Sequence, residues 1–254
     1  STGTLRWNHV FNNKLFVNTT AVYNDYNFTF KASQNNFELK LASGIKDISL
    51  KQDYDYYPYS NHKLKFGFLY TYHRFTPSVV SGRQDSVVFN PQNAQLKYAH
   101  EAAVYLQDNW EINQKLNINL GLRFSGFQQI GPSKIYTEDL NGNRIDSLVY
   151  GRGKALKTYG GFEPRATMRY AINEQTSIKA SVTRNLQYIH LVSNAGTTLP
   201  TDIWVPSTYK VKPQISWLYA LGVFKNFNNN MFETSVEVYY KNMLIRTAVI
   251  AVVT

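Results

Sequence analysis

Apolar and polar side chains alternate with a period of two along much of this chain, the spacing of a strand with two unlike faces. From Leu116 to Phe124 every even position is apolar and every odd one is polar or glycine. The same alternation sets Leu64, Phe66, Phe68, Tyr70 and Tyr72 against Lys63, Lys65, Gly67, Thr71 and His73. It returns in Phe232, Thr234, Val236, Val238 and Tyr240 against Glu233, Ser235, Glu237 and Lys241, and briefly in Ile178, Ala180 and Val182 against Lys179, Ser181 and Thr183. These segments exceed the mode of about five to six residues in soluble sheets. They reach the roughly 9–11 that cross a bilayer on a tilt.

Short and long connections alternate between the segments. The short ones are Phe11 to Lys14, the Tyr-rich bend from Asp53 to His62, Ile112 to Lys115, Ile172 to Gln175 and Phe227 to Asn230. They are rich in Asn and Asp, which tolerate the backbone of tight hairpins. The long ones fall at about residues 27–36, 76–97, 130–157 and 190–213. Short periplasmic turns and long extracellular loops mark outer-membrane barrels, so the pattern predicts an all-β, antiparallel up-and-down transmembrane barrel wall of about ten strands.

Two segments break the alternation. Between Glu38 and Lys51 the apolar phase is odd at Leu39, Leu41 and Ile45 and even at Ile48 and Leu50, which predicts a bulge near Lys46 and Asp47. From Ile215 to Phe227 both faces are rather apolar and the pattern gives no orientation. If the short turns are periplasmic, the first strand (Gly3 to Val10) descends and the last (Met231 to Met243) climbs. Residues 1–254 then read as part of one barrel domain, open at both edges, with plug and closing strands absent. The tail from Met243 to Thr254, with its run Ala248 to Val253, is unlike an extracellular loop in composition.

An Arg or Lys at mid-membrane on the lipid face costs about 2–4 kcal/mol. Arg123, Lys179, Glu233 and Glu237 all fall on the water-facing phase. Aromatic residues gather toward strand ends, at Tyr23, Tyr26 and Phe28, at Tyr54, Tyr56, Tyr57 and Tyr59, and at Trp110 and Tyr239–Tyr240, where an interfacial girdle would place them.

Composition adds exclusions. No run approaches the roughly 18 apolar residues of a membrane helix, and the mean hydropathy of -0.36 fits a barrel whose strands meet lipid at every second residue. The absence of Cys excludes disulfides and thiolate metal sites. A net charge of +10 raises nucleic acid as a partner, but the Lys and Arg are scattered singly, without a run of four, and that partner is set aside. No secretory signal opens the chain, so an export signal is expected upstream.

Several stretches resemble one family. They are Asp53-Tyr54-Asp55-Tyr56-Tyr57-Pro58 followed by His62 to Gly67, Tyr105-Leu106-Gln107-Asp108-Asn109-Trp110 followed by Leu120-Gly121-Leu122-Arg123, Phe162-Glu163-Pro164-Arg165, and the segment from Leu221-Gly222-Val223 to Tyr239–Met243. In order and spacing they resemble the TonB-dependent receptors, built around a barrel of 22 strands with an N-terminal plug. The resemblance implies a bacterial outer-membrane location and uptake of a scarce nutrient such as a siderophore, cobalamin or glycan fragment. It implies outer-membrane lipid and the TonB energising complex as partners, the latter through a plug absent here, with a surface lipoprotein as a further candidate. Two rivals remain: a structural or adhesive barrel that transports nothing, and a soluble β-rich glycan-binding module.

No catalytic, cofactor or metal residues are assigned, and the chain reads as a non-enzyme. The five His (His9, His62, His73, His100, His190) show no ligand-like pairing. Asp139 to Asn143 only faintly resembles a calcium loop and reads as a hairpin turn at Asn141–Gly142. Gly151-Arg152-Gly153-Lys154 lacks the rest of a phosphate loop and reads as a flexible loop. Trp204, Tyr209 and Arg152 lie in long loops where a ligand could be touched, but ligand-binding residues stay unassigned.

Overall fold

The computed structural model describes residues 1–35, 37–84, 87–89, 95–138, 144–192, 203–227 and 231–244. Ten strands form one antiparallel sheet in chain order: β1 (Thr2–Asn12), β2 (Leu15–Gln34), β3 (Phe37–Tyr56), β4 (His62–Gln84), β6 (Lys97–Glu111), β7 (Leu116–Ile130), β10 (Ala155–Asn173), β11 (Thr176–Gln187), β14 (Gln214–Phe227) and β15 (Phe232–Leu244). The short β5 (Val87–Phe89) pairs with β4. Two hairpins stand apart, β8 (Ser133–Glu138) with β9 (Arg144–Tyr150), and β12 (Ile189–Val192) with β13 (Ile203–Pro206). Every main-sheet neighbour is also a neighbour in sequence, which is the up-and-down topology the alternation predicts.

Strand pairing places the period-two residues in two continuous faces. Leu64, Asp108, Leu120, Ala166, Val182, Tyr219 and Tyr240 form one unbroken row of partners across seven strands. Leu5 is 74% exposed on this face and Val238 69%, yet both belong to one broad apolar surface. A surface of this extent is sustained by hydrocarbon, not by water. The opposite face carries Lys51, Asp53, Arg123, Glu163, Arg165 and Arg169.

The apolar band runs obliquely to the strands. Its outer edge falls at Tyr23 in β2 and at Tyr240 in β15, and the row of Tyr240 reaches β2 eight residues lower, at Leu15, after eight strand steps. At about 3.3 Å per residue and about 4.8 Å per strand, the strands tilt roughly 35° from the band's normal. That tilt lies in the range of transmembrane barrels. Of the charges on the outward phase, Lys46 pairs with Asp25 at 2.6 Å above the band, whereas Asp108, the register partner of Leu120, lies near mid-band and meets His62 Nδ1 at 2.7 Å.

The structure corrects several expectations. The connection expected at 27–36 is mostly strand, because β2 and β3 pair without interruption from Leu15 and Tyr56 to Gln34 and Phe37. Both strands therefore rise well beyond the membrane. Likewise β3 continues through Asp53 to Tyr56, which shortens the Tyr-rich bend to residues 57–61. The expected bulge at Lys46–Asp47 is absent. Ile48 and Leu50 face hydrocarbon, whereas Ile45 faces inward at the loop end and is buried there. The register irregularity lies between Ala42 and Gly44, where β4 contributes Pro77 and Ser78 opposite Ser43.

The unoriented segment 215–227 becomes β14, with Trp217, Tyr219, Leu221 and Val223 outward. Of the aromatic residues expected in the girdle, Tyr26 pairs with Ile45 and Tyr239 with Ala220, so both lie on the inward phase. Gly151 to Lys154 is a tight turn, with Lys154 N donating to Gly151 O at 3.2 Å and Gly153 at φ 75°. The Asn141–Gly142 turn, the Phe227 to Asn230 turn past Phe227 and the tail from residue 245 lie outside the described residues.

Near the long-loop end the inner face becomes apolar. Ile45, Phe75, Ala99, Phe127 and Tyr188 form a buried cluster, joined by Tyr159, Leu186, Ile189 and Trp204. The β12–β13 hairpin folds back over this end, and β13 touches β3 and β4 on the far side of the sheet. His190, at the hairpin's base, lies 3.3 Å (Nε2) from Ser207 Oγ, and burial holds its pKa below the usual 6.5.

The β10–β11 ladder runs only from Asn173–Thr176 to Arg165–Thr183. Above it, side chains bridge the two strands: Arg184 donates to Phe162 O, and Leu186 N donates to Glu163 Oε2 at 3.3 Å. Lower down the inner face, Gly67 allows close approach, since a Cβ there would sit 2.0 Å from Gln52 O and 2.7 Å from Tyr105 Oη.

Three outcomes follow for the full-length protein. Leu120→Arg, at mid-band on the outward face, should cost about 2–4 kcal/mol in denaturant unfolding from vesicles, whereas Asn119→Arg on the inner face should change stability by less than about 0.5 kcal/mol. Equal costs would contradict the assignment of faces. Gly67→Ala should cost about 1–3 kcal/mol, because backbone and not a flexible side chain must give way. Because the folded state holds His190 neutral, the docked hairpin should be unaffected above pH 6.5 and should loosen as pH falls from 6.5 toward the lowered folded pKa. Hydrogen exchange at 203–206 should show that loosening, and His190→Gln should remove it.

Candidate functional site

The inner wall gathers the polar chemistry of the chain. Alternate residues of β3, β4, β6, β7 and β10 point to this side, and register brings together groups that are far apart in sequence. Asp53 on β3 receives Lys51 Nζ at 2.9 Å and the Tyr105 hydroxyl from β6. Asp55 faces Lys65 at 3.9 Å. Arg123 Nε on β7 lies 3.4 Å from Glu163 Oε1 on β10, and Glu163 is only 5% exposed. A carboxylate so buried needs an ionic or hydrogen-bonded partner, and Glu163 has both Arg123 and the Leu186 amide.

Lys51, Asp53, Lys65, Tyr105, Arg123 and Arg165 line a concavity of about 390 Å³. Gly121 opens space for it, because a Cβ there would lie 2.7 Å from Arg165 Cγ. The aliphatic part of Arg165 lies over this glycine, and its head has no ion pair among the described residues. Toward the loop end, His73 Nδ1 meets Asp47 Oδ1 at 2.8 Å and His73 Nε2 lies 3.5 Å from Glu101 Oε2. The Tyr188 hydroxyl sits 2.9 Å from Ser125 Oγ, just under the apolar cluster.

This surface is graded. It is charged and hydrogen-bonding in the lower and middle tiers, aromatic and dry in the upper tier, and partly roofed by the β12–β13 hairpin. It can hold a polar, hydrated body against the wall, and it offers aromatic contact near the mouth.

The five histidines stay apart. His9 stacks with Trp7 on the outward face of β1, His62 meets Asp108, His73 meets Asp47, His100 Nδ1 lies 2.7 Å from the Tyr70 hydroxyl, and His190 lies near Ser207. Among the described residues no three His, Asp or Glu side chains form a group that could hold a metal ion. The calcium-like stretch 139–143 lies outside the described residues. Of the loop residues, Trp204 packs against the buried cluster as a hairpin anchor, whereas Tyr209 and Arg152 are exposed. The inner-wall pairs were not foreseen from the sequence, where each member is one charged residue in an alternating strand.

A sequence profile of the TonB dependent receptor-like, beta-barrel family matches residues 1–250. No curated protein matches the chain. Among solved structures, the copper transporter OprC superposes with a TM-score of 0.66 at 13% identity, covering 95% of this chain and 38% of its own. The ferric citrate transporter FecA in its unliganded form gives 0.64 at 12% identity, covering 95% and 34%. The ferric yersiniabactin uptake receptor FyuA from Yersinia pestis gives 0.62 at 12%, covering 95% and 35%. The chain thus spans little more than a third of these proteins, and at such identity the likeness concerns the fold. The profile match over nearly all 254 residues, on an oblique barrel wall with hydrocarbon outside and charge inside, places the chain in the family of TonB-dependent receptor β-barrels of the outer membrane.

Proposed function

We propose that this chain is a wall segment of an outer-membrane transporter that draws a scarce, bulky nutrient, such as a siderophore, cobalamin or glycan fragment, into the periplasm. The observation that carries the reading is the family match over residues 1–250. The names of the structural neighbours, which handle ferric yersiniabactin, copper and ferric citrate, support transport over catalysis.

Residues 1–254 would form part of a single larger barrel closed by further strands and filled by a plug, and the charged middle tier would face that plug. Coverage of about a third of the neighbours' length supports this arrangement. Energy would reach the site through the plug and the TonB complex, and a surface lipoprotein could seat on the long loops. No chemical step is assigned to the chain.

Import from a mixed panel of ferric chelates, cobalamin and oligosaccharides distinguishes this reading from a structural or adhesive barrel. Cells lacking the full-length protein, and cells with a disabled energising complex, should lose import of the same compound. Unchanged import of a panel that spans all three classes, together with a defect in envelope integrity or adhesion, would overturn transport in favour of the structural barrel.

A further inference from the structure

Three of the four cations that line the inner-wall concavity have a carboxylate of their own. Lys51 meets Asp53 at 2.9 Å, Lys65 meets Asp55 at 3.9 Å, and Arg123 meets Glu163 at 3.4 Å. Asp53 is taken up further by the Tyr105 hydroxyl. The fourth cation is Arg165. It is half-buried, and among the described residues its guanidinium has neither an ion pair nor a hydrogen bond. A partly desolvated cation without a partner is costly, and an anion relieves that cost.

The surroundings of Arg165 form a seat. Gln107 on β6, Gly121 on β7 and Arg165 on β10 are successive partners in one row of the sheet, all on the inward phase. A Cβ at Gly121 would lie 2.7 Å from Arg165 Cγ and 3.6 Å from Gln107 Cβ, so the glycine is the floor and the two longer side chains are the walls. The Gln107 amide, also half-buried, makes no hydrogen bond among the described residues and adds a neutral N–H donor beside the planar fork of the guanidinium. The concavity over the seat, about 390 Å³, falls within the roughly 300–1,000 Å³ of small-molecule sites, and a lone side-chain carboxylate would leave most of it empty.

We propose that Arg165 and Gln107, above Gly121, bind a carboxylate or phosphate group carried by the imported nutrient, which makes this wall selective for anionic over neutral cargo. The inference rests on the transport reading and narrows it to one class of cargo. Arg165 supplies the charge and the fork, and Gln107 supplies a further donor. The other three cations are matched by Asp53, Asp55 and Glu163, so the selectivity is concentrated at one point of the wall.

Isothermal titration calorimetry of the full-length protein in detergent reads the site directly, with succinate and inorganic phosphate as anionic probes and maltose as the neutral one. Wild type should bind both anions and not maltose. Arg165→Gln should weaken anion binding at least about tenfold, Arg165→Lys should recover part of it because the charge returns without the fork, and Gln107→Leu, which leaves every charge in place, should weaken it about threefold. Heat-modifiable gel migration shows which variants are folded barrels, and Gln107→Leu carries the test if Arg165→Gln is not. Unchanged affinity in both folded variants would overturn the proposal. Wild type that binds neither anion would overturn it too, and faster hydrogen exchange of the plug in Arg165→Gln would then assign the seat to a carboxylate of the protein itself. Import that does not depend on the protein, alongside intact anion binding, would instead refute the transport reading and leave the seat as an anion site.

Discussion

A peptide group in hydrocarbon has no water to bond, so each one that crosses must find its partner in a neighbouring strand. The nine antiparallel ladders of this sheet meet that demand, and the rest of the structure follows from them. A paired extended backbone turns successive side chains to opposite sides, and the two sides here meet different media. Hydrocarbon selects leucine, valine and phenylalanine on one face. On the other, water and polar neighbours permit Lys51, Asp53, Arg123 and Glu163, whose opposite charges register then brings together.

Much of this was legible in the sequence wherever the two media act alone. Leu116 to Phe124 is such a segment: its outward residues touch lipid, its inward ones polar neighbours, and the alternation is clean. The reading failed where a third environment enters. Ile45 faces inward like Asp53, but it sits under the hairpin in a dry cluster with Phe75 and Phe127, the latter 1% exposed, so the apolar residues of β3 change face with height. A sequence pattern cannot distinguish that from a bulge, since both shift the apolar phase by one residue.

The inner wall was hidden for another reason. Asp53 and Tyr105 are 52 residues apart, and their hydrogen bond exists only because two intervening registers place Gly67 between them without a side chain in the way. The glycine is visible in the sequence, but its purpose depends on the strands beside it. The fold-back of β12–β13 is still less legible, because it depends on contact with β3 and β4 more than a hundred residues earlier. The oblique course of the apolar band likewise emerges only from the register of successive strands.

The upper part of β10 has a further consequence. Above Arg165 its main chain is zipped to β7 alone, and its link to β11 consists of two side chains, Arg184 and Glu163. A ladder of peptide hydrogen bonds holds two strands at a fixed spacing, whereas a seam held by side chains can part without breaking a ladder. Above Arg165, β10 is therefore tied less firmly to β11 than to β7, while the β10–β11 ladder below stays whole.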